Sequence, residues 1–314
     1  LPADATAIAE AAGGLKRGGL VAFPTETVYG LGANAADPRA VAALYAAKGR
    51  PSFNPLIAHV RDIAAAKRLG IFSAQADALA AAFWPGPLTL VVKADENSPV
   101  CELARAGLDT VAIRVPSHPV ARALLALCDF PVAAPSANRS GHVSPTRAEH
   151  VSADLGGKVD IILDGGACAG GIESTIVDCS GDMLRLLRSG GIPRAEIEKV
   201  AGPLSAANGR AISAPGMMAS HYAPNAKLRL DAHDVQAGEA LLAFGEPLPA
   251  GAEQAVKCLN LSPRGDLTEA AANLYAQLRT LDASGARGIA VAPIPAEVWG
   301  EASRNRLQRA AAPK

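Results

Sequence analysis

Short apolar runs rich in β-branched residues alternate with alanine-rich stretches of helical spacing along most of this chain. Residues 20–23 read as a strand, after which Asp37 and Pro38 supply an N-cap and a proline at the first helical position. That pair predicts a helix running to about residue 47 and ending at Gly49. Residues 56–60 read as a second strand, Asp62 caps a helix that stops near Gly70, and Ser73 opens another that the run Trp84-Pro85-Gly86-Pro87 breaks. Strands follow at 88–93 and 110–115, a helix at 119–127 and a short strand at 131–134. Ser144-Pro145 opens a helix that ends at Gly156-Gly157, and three apolar runs at 159–163, 174–178 and 183–187 complete the stretch. Strands alternating with helices predict an α/β sheet, and the close spacing of the last three runs predicts some antiparallel pairing within it. The expected fold is a twisted mixed sheet with helices on its faces.

The texture changes after about residue 200. Residues 202–224 are rich in Gly, Ala, Ser, Asn and Pro without periodicity and read as an interdomain linker. Beyond it, strands at 227–230, 240–244, 255–259 and 288–292 and helices at 266–281 and 298–311 predict a second, smaller α/β domain. The expected boundaries are therefore 1–201, 202–224 and 225–314.

Composition narrows the function. The 314 residues are 49% hydrophobic and 19% charged, enough apolar material for a real core. Thirty basic and thirty acidic side chains cancel, so any anion binding is local, and blanket attraction to a nucleic-acid backbone is disfavoured. Aromatic residues at 4% disfavour a stacking platform for single strands. Cys101, Cys128, Cys168, Cys179 and Cys258 are scattered and never spaced as CxxC, which points to free thiols in a reducing compartment. No stretch reaches the ~18 apolar residues of a membrane span and no basic leader opens the chain, so a soluble, cytoplasmic protein is expected.

The chemistry-bearing residues fall into four clusters, and no GxxxxGK[ST] loop, GxSxG elbow or HExxH pair is among them. Gly30-Leu31-Gly32-Ala33-Asn34-Ala35 matches GxGxx[GA], but a polar segment precedes the glycines and a loop follows where a helix should begin, which disfavours a dinucleotide site. In the first cluster, Thr25-Glu26-Thr27 follows a strand and reads either as a solvated turn or as the lining of a cleft at a sheet edge. In the second, Lys48 sits where a helix C-terminus favours a cation, and Arg50 and Asn54 lie in a loop stiffened by Pro51 and Pro55 that could present donors to phosphate. His59 alternates with apolar neighbours and reads as a core histidine or a pocket residue. The third cluster is Pro135-Ser136-Ala137-Asn138-Arg139-Ser140-Gly141 with Ser144-Pro145-Thr146, where Ser144 suits both N-capping and anion binding. The fourth joins Glu173-Ser174-Thr175 to Arg188-Ser189-Gly190-Gly191. Arg114, embedded in an apolar strand, needs a partner to offset its desolvation, which makes it the best single candidate for gripping a carboxylate.

Taken in order, PTETVYGLG, KGRPxxNPL, WPGPLT, VAIRVP, PSANRSG, SPT, ESTIVD and LRSGG occupy about 180 residues, and the series resembles the YrdC-like family. The later segment SAPGMMASHYAP resembles its two-domain members, the threonylcarbamoyl-AMP synthases. That resemblance implies a YrdC-like mixed sheet followed by a smaller Rossmann-like domain, and a nucleotidyltransferase that condenses L-threonine, bicarbonate and ATP to threonylcarbamoyl-AMP and pyrophosphate. The product would serve tRNA threonylcarbamoyladenosine formation by a downstream transferase complex, with weak tRNA contact and no membrane. Carried over by position, Thr27, His59, Arg114, Ser174 and the backbone at Ala134 would hold threonine. Lys48, Arg50, Asn54, Thr110, Ser136, Ser144 and Arg188 would surround ATP, Tyr222 would close over it from the linker, and Mg²⁺ would accompany the triphosphate. No side chain is implied in covalent catalysis and none as a metal ligand. The Met217-Met218 stretch departs from the more basic linker of the family.

Two other readings stay open. A cleft bearing Lys48, Arg50 and Arg188 could take double-stranded RNA or tRNA phosphates, although the balanced charge opposes it. A carbamoyl-transfer module of hydrogenase maturation would carry extra acylphosphatase-like and zinc-finger regions, which are not seen.

Overall fold

The computed structural model describes residues 1–206, 214–215, 221–297 and 299–313. The chain divides into two compact units: the first comprises Leu1–Ser140, Pro145–Cys168 and Glu173–Met217, the second Gly141–Ser144, Ala169–Ile172 and Met218–Lys314.

The first unit opens with α1 (Ala5–Lys16), β1 (Val21–Phe23), β2 (Gly30–Asn34), α2 (Pro38–Lys48), β3 (Ile57–His59), α3 (Ile63–Lys67) and β4 (Gly70–Ile71). It continues through α4 (Ala74–Phe83), β5 (Leu88–Ala94), α5 (Glu102–Arg105), β6 (Thr110–Arg114), α6 (Pro119–Ala126) and β7 (Val132–Ala133). It closes with α7 (Ala148–Leu155), β8 (Ile161–Ile162), β9 (Thr175–Asp178), β10 (Arg185–Arg188), α8 (Arg194–Ala201) and β11 (Ser205–Ala206). These strands form one mixed sheet in the order β11-β10-β9-β5-β6-β3-β7-β2-β1-β8, with β4 hanging on β5. The expected antiparallel pairing is present between β9 and β10, whereas β8 leaves them and runs parallel to β1 at the opposite edge.

Successive strand residues face opposite sides, so one sheet serves two layers. On one side Leu31, Ala58, Leu90, Ile113 and Val177 pack with Val41 and Leu44 of α2 and Leu79 of α4 in the main core. On the other, Val21, Phe23 and Val132 are covered by Ile8, Ala11 and Leu15 of α1 and by Ala121, Leu124 and Leu125 of α6. That second cover stops short of β3, β6, β5 and β9, where a small cluster of Ile57, Val91, Ala112, Ile176, Leu187 and Ala214 lies instead.

Local signals placed most helices. Asp37, Asp62 and Ser73 accept hydrogen bonds from first-turn amides as N-caps should, and Gly49 ends α2 in the left-handed region at φ 60°. The helix expected from Ser144-Pro145 is a correction: α7 begins at Ala148, with Arg147 as its N-cap. The carbonyl of Pro145 accepts from the Tyr29 amide and that of Thr146 from the Cys168 amide, both across to other segments, so neither can start a helical ladder. The GxGxx[GA] glycines, Gly30 and Gly32, lie in strand β2. A Cβ on Gly32 would come within 2.9 Å of Phe23 and 3.1 Å of Val132, so glycine there lets three strands close up. The linker expected at 202–224 begins inside the sheet, since β11 pairs parallel with β10. Met217 and Met218 lie outside the described residues.

The second unit holds β12 (Lys227–Arg229), β13 (Glu239–Ala243), β14 (Cys258–Asn260), α9 (Leu267–Asp282), β15 (Gly288–Val291) and α10 (Trp299–Ala311). Its four strands are all parallel in the order β12-β15-β13-β14, and β13 and β15 are buried at every position, as strands covered on both faces must be. Among the described residues no helix is long and apolar enough to cross a membrane.

Candidate active site

Register, not sequence proximity, builds the site. His59 on β3 pairs with Arg114 on β6, and Arg114 pairs with Thr89 on β5. Residues opposed on neighbouring strands point the same way, so the three form a polar row across the sheet on the side away from the main core. Thr89 Oγ1 lies 2.8 Å from Ser174 Oγ, and Arg188 donates through Nη2 to that same Ser174 oxygen (3.0 Å) and through Nε to the Ser174 carbonyl (3.0 Å). All five side chains are buried. A polar row of this kind inside a sheet is costly to build unless each member is satisfied or a ligand completes it.

Arg114 meets its required partner within the protein. Its Nη2 donates to Glu26 Oε1 at 2.7 Å and its Nε to the Gly86 carbonyl at 3.4 Å, while the Ser117 amide donates to Glu26 Oε2 at 3.1 Å. The two side chains are 5% and 15% exposed. Burial pushes the Glu26 carboxyl up, but the adjacent guanidinium and these hydrogen bonds outweigh it and hold the group below the ordinary glutamate range. Burial, followed by the charge of Arg114, drives His59 down to about 3, so its imidazole is neutral at pH 7. The Cys168 thiol beside this pair is pushed up to about 12 by burial and is no thiolate.

Thr27 is buried next to Glu26, its hydroxyl 2.8 Å from that of Thr25, which in turn donates to the Val28 carbonyl. Ala134 continues the sheet beyond β7, its amide donating to the Ile57 carbonyl at 3.1 Å. Thr110 opens β6 on the same side of the strand as Arg114, but four residues of strand place it roughly 13 Å away along the sheet.

A second cluster ties two loops together. Lys48, at the last residue of α2, is buried and donates through Nζ to the Ser136 and Asn138 carbonyls, 2.5 Å each. Burial, then the nearby Arg50, pulls its pKa well below the ordinary lysine value. Arg50 turns its Nε to the Asn54 carbonyl and its Nη2 to the Pro55 carbonyl, and Tyr45 donates to the same Asn54 carbonyl. Arginine donors thus stiffen the Pro-flanked loop from within.

Ser144 and Tyr222 belong to the second unit. Arg279 of α9 donates to the carbonyls of Val143 and Ser144. Tyr222 adopts φ 64° and is buried, its ring 5.9 Å from that of Tyr275, 4.1 Å from that of His221 and 5.1 Å from the Arg306 guanidinium.

Two residues of the site escaped the sequence reading. Glu26 stood in a quoted motif with no visible partner, because Arg114 lies 88 positions away. Thr89 ends the WPGPLT motif, and only its place in the row gives it meaning.

A family model described as Telomere recombination, covering Sua5, YciO and YrdC proteins, matches residues 14–190, and one described as Threonylcarbamoyl-AMP synthase, C-terminal domain, matches residues 192–312. The threonylcarbamoyl-AMP synthase of Bacillus subtilis is 44% identical over 97% of this chain and 92% of its own length. That of Pyrococcus abyssi is 42% identical over 96% and 92%. The crystal structure of P. abyssi Sua5 complexed with L-threonine superposes with a TM-score of 0.89 at 38% identity, covering 98% of this chain and 95% of that one. Matched in both units and along nearly its whole length, the chain belongs to the Sua5/YrdC family of threonylcarbamoyl-AMP synthases.

Proposed function

We propose that this chain condenses L-threonine, bicarbonate and ATP into threonylcarbamoyl-AMP, releasing pyrophosphate, and so acts as a nucleotidyltransferase. The observation that carries the reading is the polar row His59–Arg114–Thr89 with Ser174 and Arg188, buried in a family whose named members are threonylcarbamoyl-AMP synthases. Arg114 grips the threonine carboxylate, with Thr27, His59, Ser174 and the Ala134 backbone around the rest of the amino acid. Lys48, Arg50, Asn54, Thr110, Ser136, Ser144 and Arg188 take ATP, and Tyr222 closes over the nucleotide.

The chemistry suits this set. The threonine amine and bicarbonate bring their own nucleophilic atoms, so the protein contributes by aligning three reactants and by offsetting charge at the α-phosphate. The neutral imidazole of His59 and the protonated thiol of Cys168 add no competing charge or nucleophile. Among the described residues no three His, Cys, Asp or Glu side chains gather to hold a metal ion, and Glu26 is engaged with Arg114. Magnesium is proposed to come on the triphosphate, held largely by phosphate and water. A cytoplasmic location, transfer of the product to the tRNA-modifying transferase and weak contact with tRNA complete the proposal.

Pyrophosphate release from ATP, measured with threonine and bicarbonate each present or withheld, tests it. Release that needs both is expected, and release indifferent to threonine would refute the reading.

A further inference from the structure

The site holds a carboxylate of its own, Glu26, against the arginine proposed to grip that of threonine. Glu26 is 2.7 Å from Arg114 Nη2, inside a setting where both side chains are nearly withdrawn from water. A lone buried guanidinium would attract any carboxylate. Neutralised by Glu26, it no longer does: an incoming carboxylate-only ligand would bring one uncompensated negative charge into a poorly solvated space. A free α-amino acid brings none, because its ammonium and carboxylate sit on one carbon within hydrogen-bond length of each other. The protein offers the mirror of that arrangement, a guanidinium and a carboxylate in direct contact.

Donor and acceptor capacity agrees with this match. Among the described residues Arg114 spends Nη2 on Glu26 and Nε on the Gly86 carbonyl and makes no hydrogen bond through Nη1. Glu26 receives Arg114 on one oxygen and the Ser117 amide on the other. A carboxylate offers about four lone-pair positions, so acceptor sites remain. Of the other groups of the row, Thr89, Ser174 and the neutral His59 carry no charge and Arg188 is a cation, so none could replace Glu26 as a partner for an ammonium.

We infer that Glu26 and Arg114 form a zwitterion-matched pair in which Glu26 receives the substrate ammonium, making Glu26 the residue that selects a free α-amino acid over its des-amino counterpart. This deepens the threonine reading above and rests on it. It differs from a role for Glu26 as a mere prop of Arg114, because a prop would serve both kinds of ligand equally.

The test is calorimetric binding of L-threonine and of (R)-3-hydroxybutyrate, which lacks only the amine, to the full chain and to Glu26→Gln at neutral pH. The parent is expected to prefer threonine by roughly tenfold or more, the scale of one charge-assisted hydrogen bond. In Glu26→Gln that preference should collapse, with threonine weakened and hydroxybutyrate held or strengthened, while Glu26→Asp should keep it. Equal weakening of both ligands in Glu26→Gln would overturn the inference and leave the threonine reading intact. A parent that binds both compounds equally would overturn it without any variant, even if Glu26→Gln fails to fold. A parent that binds neither would take down the threonine reading and this inference together.

Discussion

His59 and Arg114 stand directly opposite each other on adjacent parallel strands, a neutral imidazole beside a buried guanidinium. The arrangement is stable only while the imidazole stays neutral, since a second cation there would meet both burial and a like charge.

That fixes the sign of a pH effect. His59 has a folded pKa of about 3 against 6.5 in an ordinary histidine, so between these values the unfolded chain binds the extra proton. Stability is therefore lost as pH falls below about 6.5, reaching roughly 2 kcal/mol at pH 5 from this one group. Urea unfolding of parent and His59→Gln at pH 7 and pH 5 should show a smaller acid loss in the variant. Equal losses would place the acid sensitivity elsewhere.

Removing Arg114 should do two things at once. Arg114→Ala strands the Glu26 carboxylate in a largely buried site, a class of change that costs about 3–5 kcal/mol. The carboxyl of Glu26 then rises from its depressed value, so the variant's stability should recover partly on acidification where the parent's falls. Threonine dependence of pyrophosphate release should vanish in whatever fraction stays folded; an unchanged threonine KM would count against Arg114 as the carboxylate grip.

Thr89→Val keeps the shape of the side chain and deletes the hydroxyl 2.8 Å from Ser174. Loss of one buried hydrogen bond costs about 1 kcal/mol, readable as a lowered urea midpoint. Because Ser174 also receives Arg188, the KM values for threonine and ATP should rise together. A variant with parental stability and kinetics would show that the hydroxyl pair is incidental.

Gly190→Ala tests the joint between two motifs. A Cβ on Gly190 would meet the Glu173 carbonyl at 2.3 Å and the Ser174 backbone at 2.4 Å, and backbone cannot swing aside as a side-chain tip does. The change should cost more than about 2 kcal/mol, in the range of overpacked cores, and displace Ser174. Alanine tolerated there without loss in melting temperature would contradict the close approach.

Much of the helical framework was legible because its signals are local. Asp37, Asp62, Ser73 and Asp266 each cap a helix through amides two or three residues on, so residue type and order suffice. Ser144 misled for the complementary reason. It had the right type before a proline, but the Pro145 and Thr146 carbonyls were claimed by Tyr29 and Cys168, neighbours that no short window contains.

By itself the sequence determined that strands and helices alternate, where most helices start, and which residue types gather in recurring motifs. Those are consequences of backbone sterics and of hydrogen bonds spanning a few residues. The tertiary structure alone decided that His59, Arg114 and Thr89 share a row, that Glu26 neutralises Arg114 across 88 residues, and that Gly190 lies against Ser174. Strand register, desolvation and close packing depend on what the folded chain brings alongside, and no residue carries that information in its own type.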